Sequence, residues 1–142
     1  MFAACIEPDR LAEWWGPSGF TAPSIELDPR VGGRYRIGMK PPEGELFYLK
    51  GAFREVDPPN RLVYTFEWED PDADDQETVV TLSFFEAEDG TRLVVDQWPF
   101  ATEARHALHQ AGWTEALDRL EESLAPHSHA RALLVSQPPD PR

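Results

Sequence analysis

Few side chains in this sequence combine a reactive chemistry with a spacing that could use it. Arg105, His106 and His109 fall in one stretch, and on a helix His109 stands one turn from Arg105 and one turn from Trp113, so those three share a face. An imidazole placed there could hydrogen-bond a ligand carbonyl or act as a general base, since its unperturbed pKa lies near neutrality. A structural hydrogen bond to the strand or loop beneath is the weightier reading of His109, because no second catalytic group stands at a diagnostic spacing. Gln97 is neutral and polar, better suited to orienting a ligand than to moving a proton. The acidic run Glu67, Glu69, Asp70, Asp72, Asp74, Asp75, Glu77 lacks the alternating ligands and central glycine of a calcium loop and reads as a solvated hairpin tip. His127 and His129 suit adventitious metal capture at most. Cys5, the sole cysteine, reads as a buried inert thiol and excludes a disulfide framework or an all-thiolate metal site. Gly32-Gly33 joins two strands with no helix behind it to take a phosphate, and GxSxG and HExxH are both absent. The residues thus nominate no catalytic group, no metal site and no cofactor, and binding ranks ahead of catalysis.

The chain that must position these groups has 142 residues, 41% of them hydrophobic and 11% aromatic, which suits one globular domain with one core. Subtracting 26 acidic from 13 basic residues leaves a formal charge of −13. A surface of that sign repels phosphate backbones and anionic lipid, so neither nucleic acid nor membrane is expected as a partner. No apolar run approaches the ~18 residues of a membrane span, and the opening Met1-Phe2-Ala3-Ala4-Cys5-Ile6 lacks the basic flank of a signal peptide, so the expected location is cytoplasmic.

Residues 2–15 read as a short helix pair with Pro8 in the first turn of its second piece and Leu11, Trp14 and Trp15 on one face. From 24 to 98 the hydrophobic period becomes two, giving strands at 24–27, 33–39, 47–56, 61–68, 77–86 and 91–98 separated by proline, glycine and aspartate turns, the pattern of an antiparallel meander. On one face stand Leu62, Tyr64, Phe66 and Trp68, then Val80, Leu82 and Phe84, then Leu93, Val95 and Gln97. A long helix over 101–124 follows, with Thr102 as its N-cap. Its stripe is Arg105, Leu108, His109, Gly112, Trp113, Ala116, Leu117, Leu120 and Leu124, ended by Pro126. Residues 126–142 form a flexible tail in which Ala130 to Val135 could make one helical turn.

One apolar sheet face and one long amphipathic helix must cover each other. Six twisted strands curl, touch the helix along a line, and leave space beside its small and polar N-terminal half. Leu62, Tyr64, Phe66, Trp68, Val80, Leu82, Phe84, Leu93, Val95, Gln97, Arg105, His109 and Trp113 are the expected lining of that space, a pocket for a small hydrophobic molecule. Trp14 and Trp113 read first as packing, and the register of Tyr48 stays open.

Five segments taken in order carry a resemblance: Glu13-Trp14-Trp15-Gly16-Pro17, Leu27-Asp28-Pro29-Arg30-Val31-Gly32-Gly33-Arg34-Tyr35, Gly51 to Leu62, Asp89-Gly90-Thr91-Arg92-Leu93, and His109-Gln110-Ala111-Gly112-Trp113 through Leu120. Together they resemble the activator of heat shock protein 90 ATPase homologue-like branch of the SRPBCC superfamily, the START-like helix-grip proteins. The resemblance implies an α+β fold over 1–125: a curved antiparallel sheet wrapped around a long C-terminal helix, two short N-terminal helices, and a deep apolar cavity. It also implies a strand ahead of Phe2-Ala3-Ala4, for which this sequence holds no residues. In the implied fold that strand pairs with strand 91–98, so the expectation is an open edge there and a homodimer through it. Behind ligand binding stand two alternatives from the family and its relatives. One is a co-chaperone interaction activating a chaperone ATPase, and the other is a cyclase- or hydrolase-type reaction with His109 or Arg105 polarising a carbonyl.

Overall fold

The computed structural model describes residues 2–17, 19–73, 75–87, 90–124 and 130–134. A 3-10 turn at Phe2–Cys5 and a single α-helical turn, α1 (Pro8–Leu11), precede six strands: β1 (Thr21–Leu27), β2 (Arg34–Lys40), β3 (Phe47–Asp57), β4 (Arg61–Trp68), β5 (Thr78–Ala87) and β6 (Gly90–Trp98). The long helix α2 (Glu103–Leu124) and a seventh strand, β7 (Ala130–Leu134), follow. The sheet runs β1 to β7 in sequence order, antiparallel through β6, with β7 laid parallel along β6. This is the curved sheet and long C-terminal helix of the helix-grip fold.

Alternation sets the concave face. Leu62, Leu82 and Val95 form one cross-strand row and Tyr64, Val80 and Gln97 the next, while Phe84 pairs with Leu93. All of them are buried, so register and burial reinforce each other: a slip by one residue would turn each row to the outer side. Val63 and Thr65, expected on the outer face, are also buried. The Thr65 hydroxyl accepts the Ala52 N–H at 2.8 Å beside an irregularity in the β3–β4 pairing, and the Thr65 carbonyl accepts the Tyr35 hydroxyl at 2.6 Å. Gly51, opposite Tyr35, makes that approach practicable, because a Cβ there would collide with the Thr65 carbonyl and the Tyr35 ring.

The N-terminal helix pair shrinks to single turns, since segments this short cannot pay nucleation and are held by what they bury. Phe2 packs on Phe84 with ring centroids 5.2 Å apart. Trp14 is fully buried and its indole N–H donates to the Ala4 carbonyl at 2.9 Å. Leu11 and Cys5 lie in the same cluster, and burial pushes the Cys5 thiol up to about 12. This N-terminal piece is a plug that fills one half of the concave face.

Two further expectations change. β1 begins at Thr21 rather than 24, with an irregular register between Thr21 and Ser24 around Pro23, which an edge strand tolerates. Over Ala130–Leu134 the expected tail, with its single helical turn, is a strand instead. It pairs with Thr91 through Val95, the edge expected to stand open, so the backbone groups of β6 find partners within the chain. Pro126, His127, His129 and residues 135–142 lie outside the described residues. The Thr102 cap is present, its hydroxyl accepting the Arg105 N–H at 3.1 Å at the start of α2.

Candidate functional site: a cavity at the open end of the sheet

Beyond the plug the sheet and helix do not close fully on each other, and a cavity of about 390 Å³ remains. Its sheet side is Met39 of β2, Phe47 and Tyr48 of β3, and Phe66 and Trp68 of β4. Above it α2 presents Arg105, Leu108, His109, Gly112, Trp113 and Ala116. Gly112 and Ala116 are the cause of the hollow on the helix side: they present almost no side chain where the next turn presents Leu120. The loop after α1 supplies a side wall of Trp15, Gly16, Pro17 and Phe20. Edge-to-face contacts hold the aromatic lining: Phe66 on Trp68 at 5.3 Å, Phe20 on Phe47 at 6.2 Å and Trp15 on Trp113 at 5.7 Å.

Arg119, one turn below the cavity, fixes that side wall. Its Nη1 lies 3.1 Å from the carbonyl oxygens of Trp15 and Gly16 and 3.4 Å from those of Pro17 and Phe20, and its Nη2 donates to Glu13 at 3.3 Å. One guanidinium thereby gathers the carbonyls of an irregular loop that has no ladder to satisfy them.

The polar groups cluster at the other side. Arg105 is paired twice, Nη2 to Asp72 Oδ2 at 2.7 Å and Nε to Asp75 Oδ1 at 3.3 Å. The Asp75 side chain is only 9% exposed, and its second oxygen accepts the Asp72 backbone N–H at 2.8 Å. The acidic run is therefore not wholly a solvated tip: Asp72 and Asp75 pair with Arg105 of α2, and Asp70 and Asp72 line the mouth. His109 is wedged against Phe66 at 5.4 Å and Phe100 at 5.0 Å. Burial pushes its imidazole down to about 4, with Arg105 acting in the same sense and Asp75 opposing, so it is neutral near neutral pH. The indole N–H of Trp15 is buried with no hydrogen-bond partner among the described residues.

The thirteen residues expected to line one pocket are divided by this geometry. Phe66, Trp68, Arg105, His109 and Trp113 border the cavity. Leu62, Val80, Phe84 and Leu93 are core. Tyr64 and Leu82 face a second hollow of about 20 Å³ beneath the plug, and Val95 and Gln97 a third of about 10 Å³. Gln97 is spent on structure: its carbonyl accepts the Trp113 indole N–H at 2.8 Å and its amide donates to the Thr78 hydroxyl at 2.8 Å. Trp15, Phe20, Met39, Phe47, Tyr48, Leu108, Gly112 and the aspartates were not in the expected set. Tyr48 and Gly112 carried a signal, strand alternation and helix spacing respectively; the loop residues carried none.

A curved sheet gripping one helix over an aromatic cavity defines a helix-grip domain of the SRPBCC type. The chain belongs to the family described as Activator of Hsp90 ATPase homolog 1-like protein, which matches residues 1–125. Its structure is similar to that of the AHSA1 protein from Silicibacter pomeroyi, at 27% identity over 88% of each chain with a TM-score of 0.76. It is also similar to a Rhodobacter sphaeroides protein, at 28% identity over 90% of this chain and 85% of that one, with a TM-score of 0.70. A Chromobacterium violaceum protein at 24% identity, covering 85% and 84% of the two chains with a TM-score of 0.72, shares the fold. None of the curated proteins matches the chain. Among the described residues no helix is long and apolar enough to cross a membrane, and no group of His, Cys, Asp and Glu is placed to hold a metal.

Proposed function

We propose that this domain binds a small, mainly apolar molecule in the cavity between β2–β4 and the N-terminal half of α2. The observation that carries the reading is a hollow of about 390 Å³ walled by aromatic rings inside a domain whose other half is closely filled. Its size and make-up, apolar walls with a few convergent polar groups, are those of small-molecule sites. Neutral His109 supplies hydrogen-bonding atoms for a polar atom on the occupant. Burying its apolar remainder supplies the affinity, at roughly 25 cal/mol per Å² removed from water.

Titration with 1-decanol, followed by tryptophan fluorescence and by native mass spectrometry, tests the reading. Saturable uptake of one molecule per chain, abolished by filling the hollow with Gly112→Met, is the expected result. Absence of uptake by both methods overturns it.

A further inference from the structure

The charged groups around the cavity are of unequal number. Among its lining residues Asp70, Asp72 and Asp75 stand against one guanidinium, Arg105. That guanidinium is already held by two of the three carboxylates, so an incoming anion would have to break an existing ion pair to reach it. Asp70 is exposed at the rim and forms no ion pair among the described residues. His109 adds no positive charge near neutral pH, because burial holds it unprotonated.

The walls favour the same sign. The faces of aromatic rings attract cations, and Trp68, Tyr48 and Phe47 stand on the sheet side of the cavity. Tyr48 already shows this affinity: the Arg36 guanidinium lies 3.7 Å from its ring centroid while bonding Glu69 at 2.6 Å. The carboxylates make no site by themselves. They rim a hollow of about 390 Å³ whose walls are aromatic, so a group held at its mouth meets carboxylates and ring faces together. The formal charge of −13 draws cations toward the mouth and repels anions over a longer range.

We infer that the cavity selects a cationic amphiphile, an apolar body bearing an ammonium group, over a carboxylate of the same length. The inference rests on the cavity being a ligand site as proposed above. The ammonium sits between Asp70 and the aromatic faces at the mouth, and the apolar body lies inward toward Met39 and Trp113.

Decyltrimethylammonium, 1-decanol and decanoate share one chain and differ in charge, so their dissociation constants compared near neutral pH and moderate salt isolate the effect. The expected order is cation tightest, alcohol intermediate, carboxylate weakest, with roughly tenfold or more between the extremes. Asp70→Asn, at an exposed position, should shrink the cation-to-carboxylate ratio several-fold. Glu115→Gln removes the same charge from the exposed side of α2 and should leave the ratio unchanged. Decanoate binding as tightly as the cation, or Asp70→Asn and Glu115→Gln acting alike, overturns the charge preference while decanol uptake keeps the cavity reading intact. Failure of all three probes, decanol included, overturns the cavity reading and the preference with it.

Discussion

The concave face has two halves built from the same strands, one full and one hollow. At the full half, Leu62, Leu82 and Phe84 share a buried cluster with Phe2, Leu11, Trp14 and Leu120 of α2, and the second hollow there is only about 20 Å³. At the hollow half, Phe66 and Trp68 face Gly112 and Ala116 across about 390 Å³. The strands do not cause the difference, since the alternation is equally apolar at both ends. It comes from what is laid against them: a plug of large side chains at one end, and two small helix residues with a loop held at a distance by Arg119 at the other. The filled half is therefore expected to carry more of the stability than the hollow one.

Substitutions should separate the halves. Trp14→Ala empties a fully buried site and should cost about 3–5 kcal/mol in denaturant unfolding. Trp68→Ala, at the cavity wall, should cost less than about half of that and instead weaken decanol uptake roughly tenfold. Equal stability losses at the two sites would erase the distinction.

Acid should strike the hollow half through His109. Its folded pKa, about 4, lies below the ordinary value of 6.5, so the folded state binds fewer protons. Its contribution is fully present above about 6.5 and is lost as pH falls toward about 4, on the order of 3 kcal/mol at the limit. In urea titrations across that window His109→Phe should flatten the part of the decline that wild type shows; an unchanged slope would assign the decline to the carboxylates.

Arg119→Met keeps the stem of the side chain and removes the donors. It should lower stability by about 1–3 kcal/mol and speed amide exchange at Gly16 and Phe20, leaving exchange in β5 unaltered. The smallest effect is a gain. Gly112→Ala places a methyl group 3.6 Å from Pro17, an ordinary contact, and should raise stability by about 0.5–1 kcal/mol through helix propensity, read as a shift in the urea midpoint.

Legibility in the sequence follows the same division. The rows Leu62–Leu82–Val95 and Tyr64–Val80–Gln97 were readable because a period of two dictates both pairing and face, and the α2 stripe because helical spacing does the same. Leu108 shows the limit: it keeps the stripe's spacing yet stands 59% exposed, since the sheet has curved away beneath it. How deep the pocket reaches was not readable. That depends on single turns such as Phe2–Cys5 and Pro8–Leu11 occupying the far end, and on Arg119 meeting carbonyls about a hundred positions earlier. The pairing of Asp75 with Arg105 was hidden likewise, because an acidic run announces solvent exposure and gives no sign that one member will turn inward. The parallel strand β7 also lacked a local signal. A homodimer through the β6 edge would require β7 to leave Thr91–Val95.

Arg119 has one more consequence, for traffic. By fastening the loop of Trp15, Gly16 and Pro17 to α2, it joins roof and side wall to each other. For a ligand bound as proposed, the way in that this leaves is the lip where Leu108, Asp70 and Asp72 stand exposed to solvent.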